Sequence, residues 1–300
     1  MICTQTIIKS LQEDSQFLPE DLFIILGPTA SGKTKLAVEL AKELDAEIIS
    51  ADSRQVYRHM NIGTGKDLAE YEDVPYHLID ILEPGEKYNI DRFQADFEDA
   101  YLDIVSRNKK TIVCGGTGFY IQSVLQPQPY TQIPIDTNLR ETLVSKSKEQ
   151  LIAILSEKSI PQDFKIDLSS RKRIIRAIEV CHYLSYNADF EYTTHLSYRY
   201  KILGLNPPVE IRRARISARL QQRLEEGMIA EVQSLLALGI SYEELEYYGL
   251  EYKYISYYLK GALSYDDFYK KLETEIHRYA KRQMTYFRKM QKDGIEIEWI

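Results

Sequence analysis

The chain has 300 residues, of which 44% are hydrophobic and 28% charged, and its formal net charge is −7. This composition is typical of a water-soluble globular protein with room for one large domain or two smaller ones, and no apolar run approaches the roughly 18 residues that a membrane span requires. The three cysteines are far apart and form no C-x-x-C pair, which argues for a reducing compartment and against a zinc knuckle.

The first part of the chain alternates predicted strands with predicted helices. Residues 1–20 lack the basic start and apolar stretch of a secretory signal, so we expect a polar leader and a cytoplasmic protein. LFIIL (22–26) is typical of a strand buried on both faces, and KTKLAVELAKEL (33–44) has the apolar spacing of an amphipathic helix. Further strands are predicted over 46–50, 76–80 and 110–114, and a helix over 91–108. This alternation predicts a parallel sheet covered by helices.

The pattern changes after about residue 125. We predict only helices over 136–184, one more strand over 200–205, and helices from 209 to the end with a break near Gly227. The simplest layout is an α/β core over 21–129 and 198–300, interrupted by an all-helical insertion over 130–197.

The segment GPTASGKT (27–34) matches the phosphate-binding pattern G-x-x-x-x-G-K-[ST]. In such a loop the glycines let successive backbone N–H groups turn toward an anion, and the helix that follows adds its positive N-terminus. Lys33 would place a cation on the outer phosphate, and the Thr34 hydroxyl could hold Mg²⁺. A strand before the motif and a helix after it disfavour a glycine turn without a ligand. We therefore predict a P-loop NTPase-like fold that binds a di- or triphosphate through Gly27, Pro28, Thr29, Ala30, Ser31, Gly32, Lys33 and Thr34.

Asp52 directly follows the predicted strand over 46–50, in the stretch IISADSRQVY. Because ligands bind beyond the carboxyl ends of parallel strands, we expect Asp52, the P-loop and GGTGFY (115–120) to converge on the phosphate. Asp52 could bind Mg²⁺ or accept a proton from a nucleophile, and the alternative is that it caps the next helix. The residue types alone leave these three roles open.

Basic runs stand out against the acidic average. They are RKRIIR (171–176), RRARISARLQQR (212–223) and HRYAKRQMTYFRK (277–289). Solvated helix faces are one explanation and contacts with RNA phosphates are the other. The many tyrosines of 242–261 have helical spacing, which favours half-buried packing over a platform for stacking bases.

Several motifs together resemble those of the tRNA dimethylallyltransferases, also called tRNA isopentenyltransferases. In chain order they are GPTASGKT, IISADSRQVYRHMNIGTGK, PYHLID, GGTGFYI, RIIRAIEV, the spaced residues Arg215, Arg219, Gly227, Glu231, Val232 and Leu235, and RYAKRQMTYFR, and they span about 22 to 290. The resemblance implies transfer of a dimethylallyl group from dimethylallyl diphosphate to the exocyclic amine of the adenosine 3′ to the anticodon. It also implies Mg²⁺ as cofactor, tRNA as partner and, in our reading, a monomer.

The resemblance also implies roles for individual residues. Asp52 would be the general base, with Thr117 and Arg215 also catalytic. The P-loop would hold the isoprenoid diphosphate with Thr34 near Mg²⁺. Arg215 and Arg219 lie one helical turn apart on a shared face, and one of them, with Arg215 preferred over Arg219, would reach the same diphosphate. Contacts with tRNA are expected from Asp52, Ser53, Arg54, Gln55, Thr117, Arg140, Lys172, Arg173, Ile174, Ile175 and Arg176.

The chain departs from the family pattern at a few positions. Ser169 and Ser170 stand where an Asn-Asp pair is usual, and Tyr286 replaces a tryptophan. These changes concern the contacts with tRNA and hence which tRNAs are used. Three rival functions are considered beside the family's activity. They are an adenylate isopentenyltransferase acting on free nucleotides, a P-loop kinase of a small molecule, and a non-catalytic RNA-binding or nucleotide-sensing protein.

Overall fold

A computed structural model describes residues 18, 20–162, 164–193 and 196–300. The chain divides into two compact units, of which one runs to Leu125 and resumes at Leu196, and the other comprises Gln126–His195. The insertion expected over 130–197 differs from the second unit by a few residues at each end. The expected leader falls outside the described residues apart from Leu18 and Glu20.

A parallel sheet forms the centre of the first unit. Within the described residues it has six strands in the order β3-β2-β4-β1-β5-β6, and every neighbouring pair is parallel. The strands are β1 Leu22–Leu26, β2 Ala46–Ser50, β3 Tyr76–His77, β4 Lys110–Gly115, β5 Tyr200–Gly204 and β6 Glu298–Trp299. The predicted α/β class with a parallel sheet is confirmed.

Helices cover both faces of this sheet. They are α1 Lys33–Leu44, α2 Ile90–Ser106 and α3 Gly118–Leu125 before the insertion, and α7 Val209–Glu225, α8 Met228–Ala237, α9 Tyr242–Leu245, α10 Leu250–Leu259 and α11 Tyr265–Lys292 after it, with a short 3-10 helix at Leu68–Tyr71. The predicted break at Gly227 is confirmed, since this residue has φ +98° immediately before α8. Within the described residues, no helix is both long and apolar enough to span a membrane.

The side chains of β1 show how the two faces are filled. Because successive residues of a strand point to opposite faces, Leu22, Ile24 and Leu26 join the larger core with α7, α10 and α11, while Phe23 and Ile25 join a second core with α1. All five residues are buried, as the continuous apolar run predicts for a strand with both faces covered.

The second unit is built from helices among its described residues. They are α4 Thr137–Val144, α5 Lys148–Ser156 and α6 Arg171–Tyr186, with a 3-10 helix at Pro129–Thr131. A separate apolar core includes Leu143, Leu151, Leu155, Ile174 and Ile178. This unit therefore has its own interior.

Two details differ from the sequence-based expectations. The strand predicted over 76–80 is reduced to Tyr76–His77. The prediction of helix from 209 to the end is wrong at the C-terminus, where β6 pairs with β5 through Leu203 and Gly204. A Cβ at Gly204 would lie 2.6 Å from the Trp299 ring, so the glycine makes room for this last strand.

Candidate active site

A cavity of about 480 Å³ lies at the carboxyl edge of the sheet, within the α/β unit. Its walls come from the P-loop, the turn after β2, the end of β4, and parts of α7, α10 and α11. These segments are distant in sequence but meet because the carboxyl ends of parallel strands share one edge of the sheet. The lining residues include Thr29, Lys33, Thr34, Asp52, Gly115 and Arg219.

The P-loop, residues 27–34, connects β1 to α1 in a tight curve. A Cβ at Gly27 would lie 2.6 Å from Ser31 Oγ, so only glycine fits there without a shift. Gly32 has φ +90°, a left-handed conformation that favours glycine, immediately before α1 begins at Lys33. The loop therefore ends on a helix N-terminus, which favours an anion through its free N–H groups and partial positive charge.

Lys33 extends into this cavity as a half-buried cation. Within the described part of the chain, no carboxylate pairs with its ammonium group and no atom hydrogen-bonds to it. Burial lowers the pKa of Lys33, although the nearby Asp52 carboxylate acts in the opposite direction. A desolvated cation without a partner is costly, so the site is suited to an anionic ligand.

Asp52 lies in the turn after β2 and lines the same cavity as the P-loop. Its Oδ1 accepts a hydrogen bond from the backbone N–H of Arg54 at 2.9 Å, which forms an Asx turn. Residues 53–56 are turns and no helix starts here, so the helix-cap alternative is wrong. Among the described residues, Oδ2 has no hydrogen-bond partner, and this oxygen is available to a ligand.

Thr117 holds the turn that carries Asp52. Its Oγ1 accepts a hydrogen bond from the Ser53 N–H at 3.2 Å, and its own N–H donates to the Ala51 carbonyl oxygen at 3.2 Å. The approach needs a glycine at the end of β4, because a Cβ at Gly115 would lie 2.2 Å from that carbonyl oxygen. Thr117 therefore fixes the backbone beside Asp52, and its catalytic role stays a prediction.

Gln283 on α11 links the P-loop to the loop after β4, and sequence reasoning did not single it out. Its Oε1 accepts the Thr29 N–H at 2.9 Å, and its Nε2 donates to the Gly116 carbonyl oxygen at 2.9 Å. The residue is only 7% exposed. One buried amide thus sets the separation of two loops that line the cavity. The sequence predicted a helix in this part of the chain, but it did not indicate that Gln283 connects the two loops.

The two arginines expected at the diphosphate occupy different environments. Arg219 lines the cavity and forms an ion pair with Asp67. Arg215 is more exposed, and its Nη1 lies 3.4 Å from the Ser31 carbonyl oxygen, beside the P-loop but outside the cavity lining. Both assignments stay predictions, although Arg219 is the one placed in the cavity wall.

Arg223, one turn beyond Arg219 on α7, is a further basic residue of the cavity wall that was not predicted as a site residue. It is 8% exposed, and its Nε and Nη2 have no hydrogen-bond partner among the described residues. A buried group left without its hydrogen bond costs about 1–3 kcal/mol. Its spacing from Arg215 and Arg219, every fourth residue, was the sequence signal that could have identified it.

Gln55 was predicted to contact tRNA, yet its amide is used inside the protein. Ser50 Oγ donates to Gln55 Oε1 at 2.9 Å, and Gln55 Nε2 donates to the Gly65 carbonyl oxygen at 3.0 Å. The side chain therefore ties the end of β2 to the GTGK segment, residues 63–66. The contact with tRNA stays a prediction.

Glu231 on α8 holds the backbone at the start of the GTGK segment. Its carboxylate accepts backbone N–H groups of Asn61, Ile62 and Gly63 at 2.8, 2.7 and 3.0 Å. The Tyr252 hydroxyl donates to the same carboxylate at 2.8 Å. Four donors to one carboxylate hold the backbone that leads into the GTGK segment, which explains a glutamate at this position.

We expect Glu231→Gln to lower the free energy of unfolding by about 2–4 kcal/mol, because an amide cannot accept all four hydrogen bonds and loses their charge assistance. Urea unfolding of the wild type and the variant measures this difference. Glu225→Gln, an exposed change on α7, is the matched control and should unfold like the wild type. Equal stability of all three proteins would contradict the role assigned to Glu231.

Tyr247 and Arg54 stack at the cavity wall. The guanidinium carbon of Arg54 lies 4.7 Å from the centroid of the Tyr247 ring, within the range of a cation–π contact. The expected half-buried packing of the tyrosines in 242–261 is met by Tyr254, Tyr257 and Tyr258, whereas Tyr252 is fully buried and Tyr247 is 47% exposed. Arg54 is thus held beside the cavity, and its contact with tRNA stays a prediction.

In the helical unit, two of the arginines expected to contact tRNA are held by a buried carboxylate. Arg140 forms a bidentate ion pair with Glu179, with N–O distances of 2.6 and 2.7 Å. Arg176 donates to the carbonyl oxygens of Tyr130 and Ile133 at 2.9 and 2.6 Å. Both side chains therefore stabilise this unit, and tRNA would have to share or displace these bonds.

The rest of the segment 172–176 divides between surface and interior. Lys172 and Arg173 are exposed, and Arg173 pairs with Asp167. Ile174 is fully buried in the core of the unit, so a side-chain contact of Ile174 with tRNA requires correction, and Ile175 packs against the same core. The apolar period of α6 directs these two isoleucines inward. Lys172 and Arg173 are the exposed cations of the segment.

The fold and the cavity define the class of protein: an α/β enzyme with a P-loop-like fold, whose site joins an anion-binding loop to a carboxylate. Family models narrow this class. The model described as IPP transferase matches residues 55–290, and the model described as Isopentenyl transferase matches residues 20–73. The chain belongs to the IPP transferase family, the tRNA dimethylallyltransferases, and is a prenyltransferase.

Individual relatives agree with this membership. The chain is 51% identical to tRNA dimethylallyltransferase 1 of Azobacteroides pseudotrichonymphae and 49% identical to tRNA dimethylallyltransferase 1 of Parabacteroides distasonis, each over 93% of this chain and 92% of the relative. It also resembles the solved tRNA isopentenylpyrophosphate transferase of Bacillus halodurans, with 33% identity and a TM-score of 0.68 over 94% of this chain and 89% of that chain. A eukaryotic dimethylallyltransferase shares the fold, with a TM-score of 0.74 and 24% identity over 93% of this chain and 73% of that one.

Proposed function

We propose that this protein transfers the dimethylallyl group of dimethylallyl diphosphate to the exocyclic amine of the adenosine 3′ to the anticodon of tRNA, with release of diphosphate. The observation that carries the proposal is the cavity in which the P-loop and the Asp52 carboxylate line one space of about 480 Å³. That volume lies in the range of small-molecule sites. The names of the relatives give the same substrates, dimethylallyl and tRNA.

The donor's diphosphate binds at the P-loop. Backbone N–H groups at the start of α1 and the Lys33 ammonium face this part of the cavity, and Lys33 has no competing carboxylate partner in the described chain. As the bond between the allylic carbon and oxygen breaks, negative charge grows on the departing diphosphate. Positive groups fixed in advance stabilise that charge, and such stabilisation supplies much of the rate acceleration in many enzymes.

Asp52 acts as the general base. The amine nitrogen forms a bond with the allylic carbon while a proton leaves the nitrogen, and the free Oδ2 of Asp52 accepts this proton. The Asx turn to Arg54 and the hydrogen bond between Ser53 and Thr117 hold the carboxylate in place. The adenine must leave its stack to reach this carboxylate, as other base-modifying enzymes require.

Mg²⁺ is the proposed cofactor, and its site fits the residues present. Among the described residues no cluster of three His, Cys, Asp or Glu side chains could hold a metal by itself. Mg²⁺ at phosphate sites typically takes one or two protein ligands together with phosphate oxygens. The Thr34 hydroxyl in the cavity wall would be such a ligand, and the ion would neutralise part of the diphosphate charge.

Contacts with tRNA are proposed for both units. The exposed cations Lys172 and Arg173 of the helical unit would bind phosphates, as would the basic side chains of α7 and α11. We also propose that the enzyme works as a monomer. A tRNA substrate favours the cytoplasm as its location.

Incubation with labelled dimethylallyl diphosphate and Mg²⁺ tests the proposal. We expect label in unmodified tRNA, none in AMP, and none in a tRNA whose adenosine 3′ to the anticodon is replaced by guanosine. Label in AMP alone would identify an adenylate isopentenyltransferase. Transfer of the terminal phosphoryl group of ATP without any alkylation would indicate a kinase, and tRNA binding without transfer would indicate a non-catalytic protein.

A further inference from the structure

Arg223 is a buried charged group of the cavity that the reaction as described does not use. It lies on α7, four residues after Arg219, so the two side chains share one face of the helix. Only 8% of Arg223 is exposed, and it lines the cavity together with the P-loop residues Thr29 and Lys33. A guanidinium is seldom buried to this degree unless it is paired.

The partners within the protein do not satisfy this guanidinium. Asp67 is the carboxylate paired with it, but Arg223 Nη2 and Asp67 Oδ1 are 3.7 Å apart, too far for a hydrogen bond. The same carboxylate makes its close contact with Arg219. Nε and Nη2 of Arg223 have no hydrogen-bond partner in the described residues. Two guanidinium groups thus share one carboxylate, and positive charge remains.

Glu251 is the other acidic residue of this wall. It lines the cavity beside Arg223, yet the structure records no ion pair between them among the described residues. Burial raises the pKa of Glu251, while Arg223 opposes this rise. Glu251 therefore provides no ion-paired partner for Arg223 among the described residues.

The backbone at Gly65 approaches this guanidinium closely. Gly65 has φ +66°, and a Cβ at this position would lie 1.7 Å from Arg223 Nη2. Any side chain at residue 65 would displace the guanidinium from the cavity wall. The GTGK segment therefore leaves room for the Arg223 guanidinium at the cavity wall.

We propose that Arg223 is a binding residue for the donor's diphosphate, supplying a buried cation in the wall of the cavity that Lys33 also lines and donating to phosphate oxygens through its guanidinium N–H groups. This inference rests on the proposed prenyl diphosphate donor. It assigns to Arg223 a ligand contact, and it gives Arg219 with Asp67 the task of holding the adjacent wall. Arginine suits this task because its planar fork of donors matches phosphate geometry.

Calorimetric titration with inorganic diphosphate, with and without Mg²⁺, tests this proposal without tRNA. We expect Arg223→Met to weaken diphosphate binding by about 10- to 100-fold, as loss of a charge-assisted contact does. Arg223→Lys should lie between Arg223→Met and the wild type. Lys87→Met removes the same charge from an exposed position outside the cavity lining and should bind diphosphate like the wild type.

Urea unfolding of the unliganded proteins separates ligand binding from a structural role. Because Nε and Nη2 of Arg223 make no hydrogen bond in the free protein and its ion pair with Asp67 is long, Arg223→Met should be at least as stable as the wild type. Unchanged diphosphate affinity would overturn the proposal, and so would a variant that loses affinity only together with stability or fails to fold. A wild type that binds diphosphate but alkylates no tRNA would refute the proposed function and leave this assignment standing.

Discussion

Asp52→Asn is expected to lower the rate of alkylation by about 10²–10⁴-fold, the usual contribution of a general base. The asparagine oxygen can still accept the Arg54 N–H, so the Asx turn that Asp52 forms at 2.9 Å is kept. What the variant loses is the negative oxygen that takes the proton from the adenine amine. Single-turnover transfer from labelled dimethylallyl diphosphate to tRNA, with enzyme in excess, measures this step.

Two further variants separate chemistry from structure. Asp52→Ala removes both the base and the turn, so any extra loss beyond Asp52→Asn reports the contribution of the turn. Asp73→Asn changes an exposed carboxylate and should react at the wild-type rate. Binding of tRNA and of diphosphate should be nearly unchanged in Asp52→Asn. Wild-type turnover in that variant would remove Asp52 from the mechanism.

The sequence predicted those strands and helices whose pattern can be recognised from neighbouring residues alone. The strands β1 and β2 and the helix α1 have the predicted bounds, because a continuous apolar run or an apolar face of period 3.6 is a property of neighbouring residues. The strand β6 was missed because Glu298–Trp299 has no such pattern. It pairs with β5 in a groove that Gly204 leaves open, and that groove exists only after folding.

The same distinction applies to the cavity. The P-loop and Asp52 were placed at one edge of the sheet because parallel topology dictates where strand ends lie. Gln283 and Glu231 could not be assigned their tasks in this way, since each reaches backbone groups more than a hundred residues away in sequence. The basic run of α7 was visible, but only packing shows that Arg223 is buried while Arg215 is exposed.

Lys33→Met is expected to lower the rate of prenyl transfer by about 10²–10³-fold, the loss typical of removing one fixed positive donor at developing charge. The same change should stabilise the unliganded protein. Burial lowers the pKa of the Lys33 ammonium, and no described residue pairs with it, so the protonated side chain loses hydration in the folded chain without gaining a partner. We expect the unfolding temperature to rise by about 1–3 °C, measured by calorimetry without ligand.

The lowered pKa of Lys33 determines whether stability rises or falls with pH. The unfolded chain keeps the Lys33 proton up to the ordinary pKa of 10.5, while the folded chain releases it at lower pH. The free energy of unfolding of the wild type therefore increases with pH between the lowered pKa and 10.5. Below the lowered pKa, the wild type is less stable than Lys33→Met by the full amount of this effect. Bound diphosphate supplies an anionic partner and favours the protonated form of Lys33. The affinity for diphosphate should therefore fall as pH rises through the lowered pKa.

Lys35→Met, an exposed change two residues further along α1, should alter neither stability nor affinity for diphosphate. If Lys33→Met were less stable than the wild type at neutral pH, the Lys33 ammonium would have a partner within the folded protein. The inference that the site needs an anionic ligand would then be wrong.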